Sequence, residues 1–151
     1  MKKTPNAQRP TPNIEFKGPR VFEKAAGEYS GAGKPKYDLE DRLLNFTASI
    51  VQLADSLPNT KAGNHIAGQL LRCGTSPLAN HGEVEAAESR KDFLHKLRIC
   101  LKELRETWRW LRLIGRLGLV EIAELKSALT EVEELIRIFA ASVRTTEKNA
   151  K

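Results

Sequence analysis

YDLEDRLLNFTASIVQLADSLPN, residues 37–59, settles the fold class, because Leu39, Leu43, Phe46, Ile50, Leu53 and Leu57 recur at intervals of four, three, four, three and four. On a helix of 3.6 residues per turn these positions form one narrow apolar seam, the pattern of a helix packed in a bundle rather than of a strand. Asp38 is the expected N-cap, with Asp41 three residues on, and Pro58-Asn59 ends the segment, so a helix is predicted over about 38–57.

Working outward, residues 61–87 continue in helical register through Ile66, Leu70, Cys73, Val84 and Ala87, but carry Gly63, Gly68, Gly74, Gly82 and Pro77. Proline in a helix interior removes one backbone donor and clashes with the carbonyl four residues back, so one bent element is predicted, kinked or broken near 74–77. The small residues around it let a neighbouring helix come close. Ser89 and Asp92 read as a capping box opening a third helix that runs to about Gly115, with Phe93, Leu94, Leu97, Cys100, Leu101, Leu104, Trp108, Leu111 and Ile114 inward. A fourth is predicted over about 119–146 from Ile122, Leu125, Leu129, Val132, Leu135, Ile136, Phe139 and Val143. No segment alternates with period two, so no strand is predicted. Short connections between four amphipathic helices give an all-α, antiparallel up-down-up-down four-helix bundle over residues 37–149. Ile99, Trp110, Leu113 and Leu119 fall off the seams, which points to a further surface buried by oligomerisation.

Residues 1–36 differ in kind. Pro5, Pro10, Pro12, Pro19 and Pro35 stand among scattered glycines and polar residues, so a disordered or extended arm is expected. This arm holds eight basic and three acidic residues, and residues 90–116 hold nine and three. The whole chain of 151 residues has a net charge of +6, which leaves the remainder at −5. Basicity is thus confined to an arm and one helix, a directed electrostatic surface.

On that third helix Lys91, Arg98, Lys102, Arg105, Arg109, Arg112 and Arg116 share one sector, with His95 in the gap. Like charges three or four residues apart cost roughly 0.2–0.5 kcal/mol per pair, and the five consecutive pairs from Arg98 to Arg116 about 1–2.5 kcal/mol at low salt. Glu106 is placed to relieve Lys102 and Arg109. Four readings remain open for the ridge: a solvated face, a subunit interface with acidic neighbours, a nucleic-acid contact, or an acidic membrane surface. Arg and Lys in such a row contact phosphates and carry little base specificity. Trp110 lies off the ridge on an acidic flank, so base stacking along it is not expected.

No enzyme is read from the residues. His81-Gly82-Glu83 lacks the downstream Pro-Cys-x-x-Cys of zinc deaminases, and Asp92-x-x-His95 is a single acid-x-x-His where di-iron bundles need two with further carboxylates. Cys73 and Cys100 sit at apolar helical positions without a C-x-x-C partner, and no Walker or G-x-S-x-G motif occurs. No metal and no cofactor are expected. Two cysteines make no disulfide framework, the first residues lack the apolar stretch of a secretory leader, and the cytoplasm is the expected compartment, with no membrane partner.

The segments QLLRCGTSPLANHGE (69–83), AESRKDF (87–93) and LKELRET (101–107), together with Asp38-Leu39 at the start and RTTEKN (144–149) at the end, resemble one family. It comprises the bacterial four-helix-bundle proteins first noticed as products of intervening sequences within large-subunit ribosomal RNA genes. More distantly the chain is similar to the accessory variability protein of diversity-generating retroelements. The resemblance covers about 37–149. It implies an antiparallel four-helix protomer in a ring-like homopentamer, and for the retroelement relatives the binding of nucleic acid and of a reverse transcriptase through a basic surface. For most members the role is unassigned. Arg72, Asn80, Glu83, Arg90, Asp92, Glu103, Arg105 and Glu106 match the family's polar signature, and most of them are read as a buried or inter-helix network, which would fix register more than stability. The chain departs from the pattern at Pro77, His81 and Arg109, and by its long arm.

The expectation is a non-enzymatic homo-oligomer that binds the backbone of RNA or DNA through Lys91, Arg98, Lys102, Arg105, Arg109, Arg112 and Arg116, assisted by the arm. Within that set the signature assigns Arg105, with Lys102 and Arg112, partly to the scaffold, and leaves Arg98, Arg109 and Arg116 as the sharper candidates. The alternative is a structural or protein-interaction module whose ridge is neutralised by acidic residues of an adjacent subunit.

Overall fold

The computed structural model describes residues 39–149, and the helices α1 (Leu39–Asp55), α2 (Lys61–Glu85), α3 (Arg90–Leu117) and α4 (Ile122–Lys148) are its elements, with no strand among the described residues. The arm over 1–36 and the expected cap Asp38 lie outside the described residues. Every residue of the first seam, Leu39 through Leu57, is buried, as its spacing predicts, although α1 ends at Asp55, two residues before the expected stop. Leu43, Ile50, Leu70, Leu97, Leu104, Leu111, Ile114, Leu135 and Phe139 have no exposed surface and form one continuous core among the four helices. Truncating such a leucine to alanine would cost about 2–5 kcal/mol.

Cross-helix contacts fix the direction of the helices. Between α2 and α3, residue 65 meets 110, 72 meets 106 and 77 meets 100; between α3 and α4, 90 meets 146, 98 meets 147 and 108 meets 133. Rising numbers on α2 meet falling numbers on α3, and the first half of α3 (90 and 98) meets the end of α4 (146 and 147) while 108 meets 133, so each pair is antiparallel. Helix α1 packs on α2 and α4, which closes the bundle and puts α1 and α3 at opposite corners.

Local chemistry sets the helix ends. Thr60 caps α2 by accepting the Gly63 N–H at 3.0 Å, and Ser89 caps α3 by accepting the Asp92 N–H at 3.2 Å. The Asp92 carboxylate reaches back to the N–H of Glu88, at 3.4 Å, one residue earlier than a standard capping box. Helix α3 runs two residues past the expected stop at Gly115, because the residue that leaves the helix is Gly118, at φ 63°. Its N–H donates to Gly115 O at 3.2 Å and that of Leu119 to Ile114 O at 3.3 Å, the paired bonds of a Schellman turn.

Helix α2 passes Pro77 without the expected break: the helix runs from Lys61 to Glu85 although Pro77 has no N–H to donate, and Pro77 is buried. The Cys100 thiol donates to the Pro77 carbonyl at 3.8 Å, tying α3 to this turn. The expected close approach occurs at Gly74, where a Cβ would stand 2.5 Å from Ile50 Cγ2 of α1. No helix among the described residues is long and apolar enough to cross a membrane.

Candidate nucleic-acid interface

The inward face of α3 forces the ridge outward. Leu97, Leu104, Leu111 and Ile114 fill the core, so Lys91, Arg98, Lys102, Arg105, Arg109, Arg112 and Arg116 project from the opposite side, and all seven are exposed. At 1.5 Å per residue the row from Lys91 to Arg116 is about 38 Å long.

Its members differ in what already holds them. Arg98 donates to the Glu147 carboxylate of α4 at 2.6 Å. The Arg112 guanidinium lies 4.5 Å from the centre of the Trp108 ring, and the Trp108 indole N–H donates to Glu133 of α4 at 3.1 Å. Arg109 donates to the Arg105 carbonyl at 3.3 Å. Among the described residues, Lys91, Lys102, Arg105, Arg109 and Arg116 have no carboxylate within 4.0 Å.

This redraws the division expected from the signature. Arg105 is an exposed ridge cation rather than part of the scaffold, and Lys102 stands beside it. Arg98, expected to be open, is ion-paired, whereas Arg112 is held as expected, by a ring instead of a carboxylate. Glu106 does not relieve Lys102 or Arg109; it turns across to α2, where its carboxylate pairs with Arg72, and the same guanidinium lies 3.9 Å from the buried Glu103. That carboxylate pair on one arginine bridges α2 and α3, and Arg90 bridges α3 to α4 by donating to the Thr146 carbonyl at 2.7 Å. The remaining signature residues stay within their own segments: Asn80 bonds Ser76, Asp92 pairs with Lys96 at 2.9 Å, and Glu83 is exposed.

The aromatic residues flank the ridge without lining it. Trp110 meets His65 edge-on, with ring centres 6.2 Å apart, and Trp108 is engaged as above. The exposed row offers cationic donors to an anion and no free ring to a base. Next to its C-terminal end lies an apolar corner, with Leu113, Leu117 and Ile122 exposed by 40%, 52% and 81%.

The chemistry tested from the sequence is placed as follows. His81 is buried edge-on against Phe139, with ring centres 6.4 Å apart, and among the described residues no three His, Cys, Asp or Glu side chains are grouped to hold a metal. Burial pushes the Cys73 thiol up to about 11 and Cys100 up to about 12, so neither supplies a thiolate nucleophile near neutrality. Cys73 also donates to the Leu70 carbonyl at 3.6 Å, as a small core residue does.

Residues 36–141, which include the whole ridge, match the model of the 23S rRNA-intervening sequence protein family. The chain belongs to this family. A crystal structure of a protein of unknown function from the S23 ribosomal protein family of Bacteroides thetaiotaomicron is 35% identical, with a TM-score of 0.66, over 70% of this chain and 98% of that one. No curated protein matches. The family match confirms the first relationship read from the signature segments. It stops before Glu147, so the residue that holds Arg98 lies beyond the matched part. Nothing in helical spacing points to Glu147 or Glu133 as partners of α3, since both come from another helix; the Trp108–Arg112 contact, by contrast, is legible as an i, i+4 pair.

Proposed function

We propose that the chain is a non-enzymatic, homo-oligomeric bundle of the cytoplasm that binds the backbone of RNA or DNA through α3, assisted by the basic residues of 1–36. One observation carries the reading: Lys91, Lys102, Arg105, Arg109 and Arg116 stand exposed along one line with no carboxylate within reach among the described residues. Such a row pays its own repulsion until an anion arrives, and a polyanion supplies many charges at once. Affinity with little base reading follows from a row of Arg and Lys whose donors meet phosphates. The family resemblance adds a five-copy ring to this reading, and the more distant likeness to the retroelement accessory protein adds a reverse transcriptase as protein partner.

The test is binding to a duplex DNA probe across salt. Five phosphate contacts give a log–log slope of about −4.5. Reversing Lys102, Arg105 and Arg109 to Glu should abolish binding while the helical content and melting temperature persist. A slope near zero, or unchanged binding by the reversed chain, refutes it.

The second reading is a structural or protein-interaction module whose ridge is neutralised at a subunit interface. The apolar corner of Leu113, Leu117 and Ile122 at the ridge's end favours it, because a phosphate backbone has no use for these side chains.

A further inference from the structure

We infer that the arm docks on its own bundle, with Val21 and Phe22 seated in a groove where α3 begins and α4 ends. The groove has a volume of about 500 Å³ and is lined by Ala87, Glu88, Arg90, Phe93, Thr146 and Asn149 among others. Phe93 and Ala87, both half-buried, and the buried Thr146, whose hydroxyl is taken by the Ser142 carbonyl at 2.8 Å, give it apolar surface. Glu88 and Arg90, both exposed, give it one charge of each sign.

The chain outside the described residues carries a matching segment. Arg20-Val21-Phe22-Glu23-Lys24 is the one place in residues 1–38 where two bulky apolar residues stand side by side, and it sets a base at each end and one acid between. Around the groove the charges are the converse: the chain between Arg72 and Arg90 holds Glu83, Glu85 and Glu88 and no lysine or arginine. Arg20 and Lys24 therefore meet Glu85 and Glu88, Glu23 meets Arg90, and the two apolar side chains take the middle.

The length of chain fits as well. Arg42 fixes the start of α1 beside α4 by bonding Glu134 at 3.1 Å, and Thr146 lies twelve residues further along α4, about 18 Å at 1.5 Å per residue. Fifteen residue steps separate Lys24 from Leu39, with Gly27, Gly31 and Gly33 among them, and a glycine-rich chain of that length has an r.m.s. reach of about 20 Å. A tether whose reach matches its span holds its end at a millimolar effective concentration, so a weak groove suffices. A free anion would face Glu88 beside Arg90, and the arm of another copy lacks the tether.

The docking stands without nucleic acid; its consequence for the ridge rests on the nucleic-acid reading above. Lys91, the first cation of the ridge, follows Arg90 directly, so a docked arm brings Lys2, Lys3, Arg9, Lys17 and Arg20 to the end of the row and lengthens it.

The test is a cross-linking rate measured on the full chain without nucleic acid. Ala25→Cys is combined with Ala87→Cys in the groove, or with Ala123→Cys, exposed on α4 about 17 Å from Glu134 in the opposite direction, and a short bismaleimide joins the two thiols. The native thiols, buried and pushed up to about 11 and about 12, stay out of the reaction. Read by the mass of the denatured product, the groove pair should close about tenfold faster than the α4 pair, and Phe22→Ser should erase the difference. Equal rates for the two pairs, no effect of Phe22→Ser, or a groove product of twice the chain mass overturns the inference, the last by placing the arm on another copy. Should Ala87→Cys unfold the chain, Asn149→Cys, from the α4 side of the groove, repeats the measurement. An arm that fails to dock leaves the salt slope of the ridge as it was, so the two readings fail separately.

Discussion

Glu147→Gln should strengthen nucleic-acid binding, and by an amount that depends on salt. In the free protein the Glu147 carboxylate lies 2.6 Å from Arg98, so a phosphate must compete for that guanidinium. Both side chains are open, 56% and 43% exposed, and a surface pair of this kind is worth about 0–1 kcal/mol, so the bundle should melt nearly unchanged. Releasing Arg98 raises the phosphate contacts from five to six, and the log–log slope on duplex DNA from about −4.5 to about −5.4. Counterion release alone then predicts a gain of about fivefold at 0.15 M salt and about fifteenfold at 0.05 M. Fluorescence anisotropy of a labelled duplex across that range reads both quantities. Glu134→Gln, which removes the same charge from the α1–α4 side where Glu134 bonds Arg42, is the control. A gain that does not change with salt, or one matched by the control, would show that Arg98 does not reach a phosphate.

Other outcomes follow from the core and the caps. Gly82→Ala, with nothing within 4 Å of the new Cβ, should stabilise by about 0.5–1 kcal/mol through helix propensity, whereas Gly74→Ala drives a Cβ to 2.5 Å from the stiff Ile50 and should destabilise by about 1–2 kcal/mol; urea melts read the opposite signs. Neither Cys73 nor Cys100 should react with a thiol reagent in the native protein at pH 8, where a thiol held at about 11 is roughly one part in a thousand thiolate, and both should react in denaturant. The bond to Lys96, aided by the Glu88 N–H, holds the Asp92 carboxyl below its ordinary value. Its stabilisation is therefore full above the unfolded value near 4 and is lost as pH falls through the folded one, so the loss of melting temperature on acidification should be smaller for Asp92→Asn than for wild type.

The helices were legible because their apolar residues keep one period for about five or six turns, a signal that averages over many side chains. Single-residue events were not. Gly115 reads as a stop as well as Gly118 does, and which one leaves the helix depends on where Leu119 and Ile114 can close their bond. Pro77 reads as a break, yet a buried proline whose ring packs in the core, with the Cys100 thiol on its carbonyl, is retained within a continuous helix. The local cost of a proline in a helix interior is about 3 kcal/mol, comparable to what one well-packed core side chain contributes.

The ridge shows the same limit from the other side. That seven cations face outward follows from helical geometry alone, and the structure places all of them there. Which are spoken for is a long-range property: Glu106 sits on α3 in the right sequence register to serve Lys102 and Arg109, but Arg72 on α2 offers it a partner across the helix gap. Withdrawing Glu106 leaves Lys102, Arg105 and Arg109 uncompensated by their own helix, so the ion pair that locks α2 to α3 also exposes the charge of the ridge. Breaking that pair tests the link. Arg72→Gln should free Glu106 to turn back toward Lys102 and Arg109, lowering the duplex slope by one contact or more while the helices persist. If the slope holds at about −4.5, the scaffold pair and the ridge charge are independent, and the exposure of these cations owes nothing to Arg72.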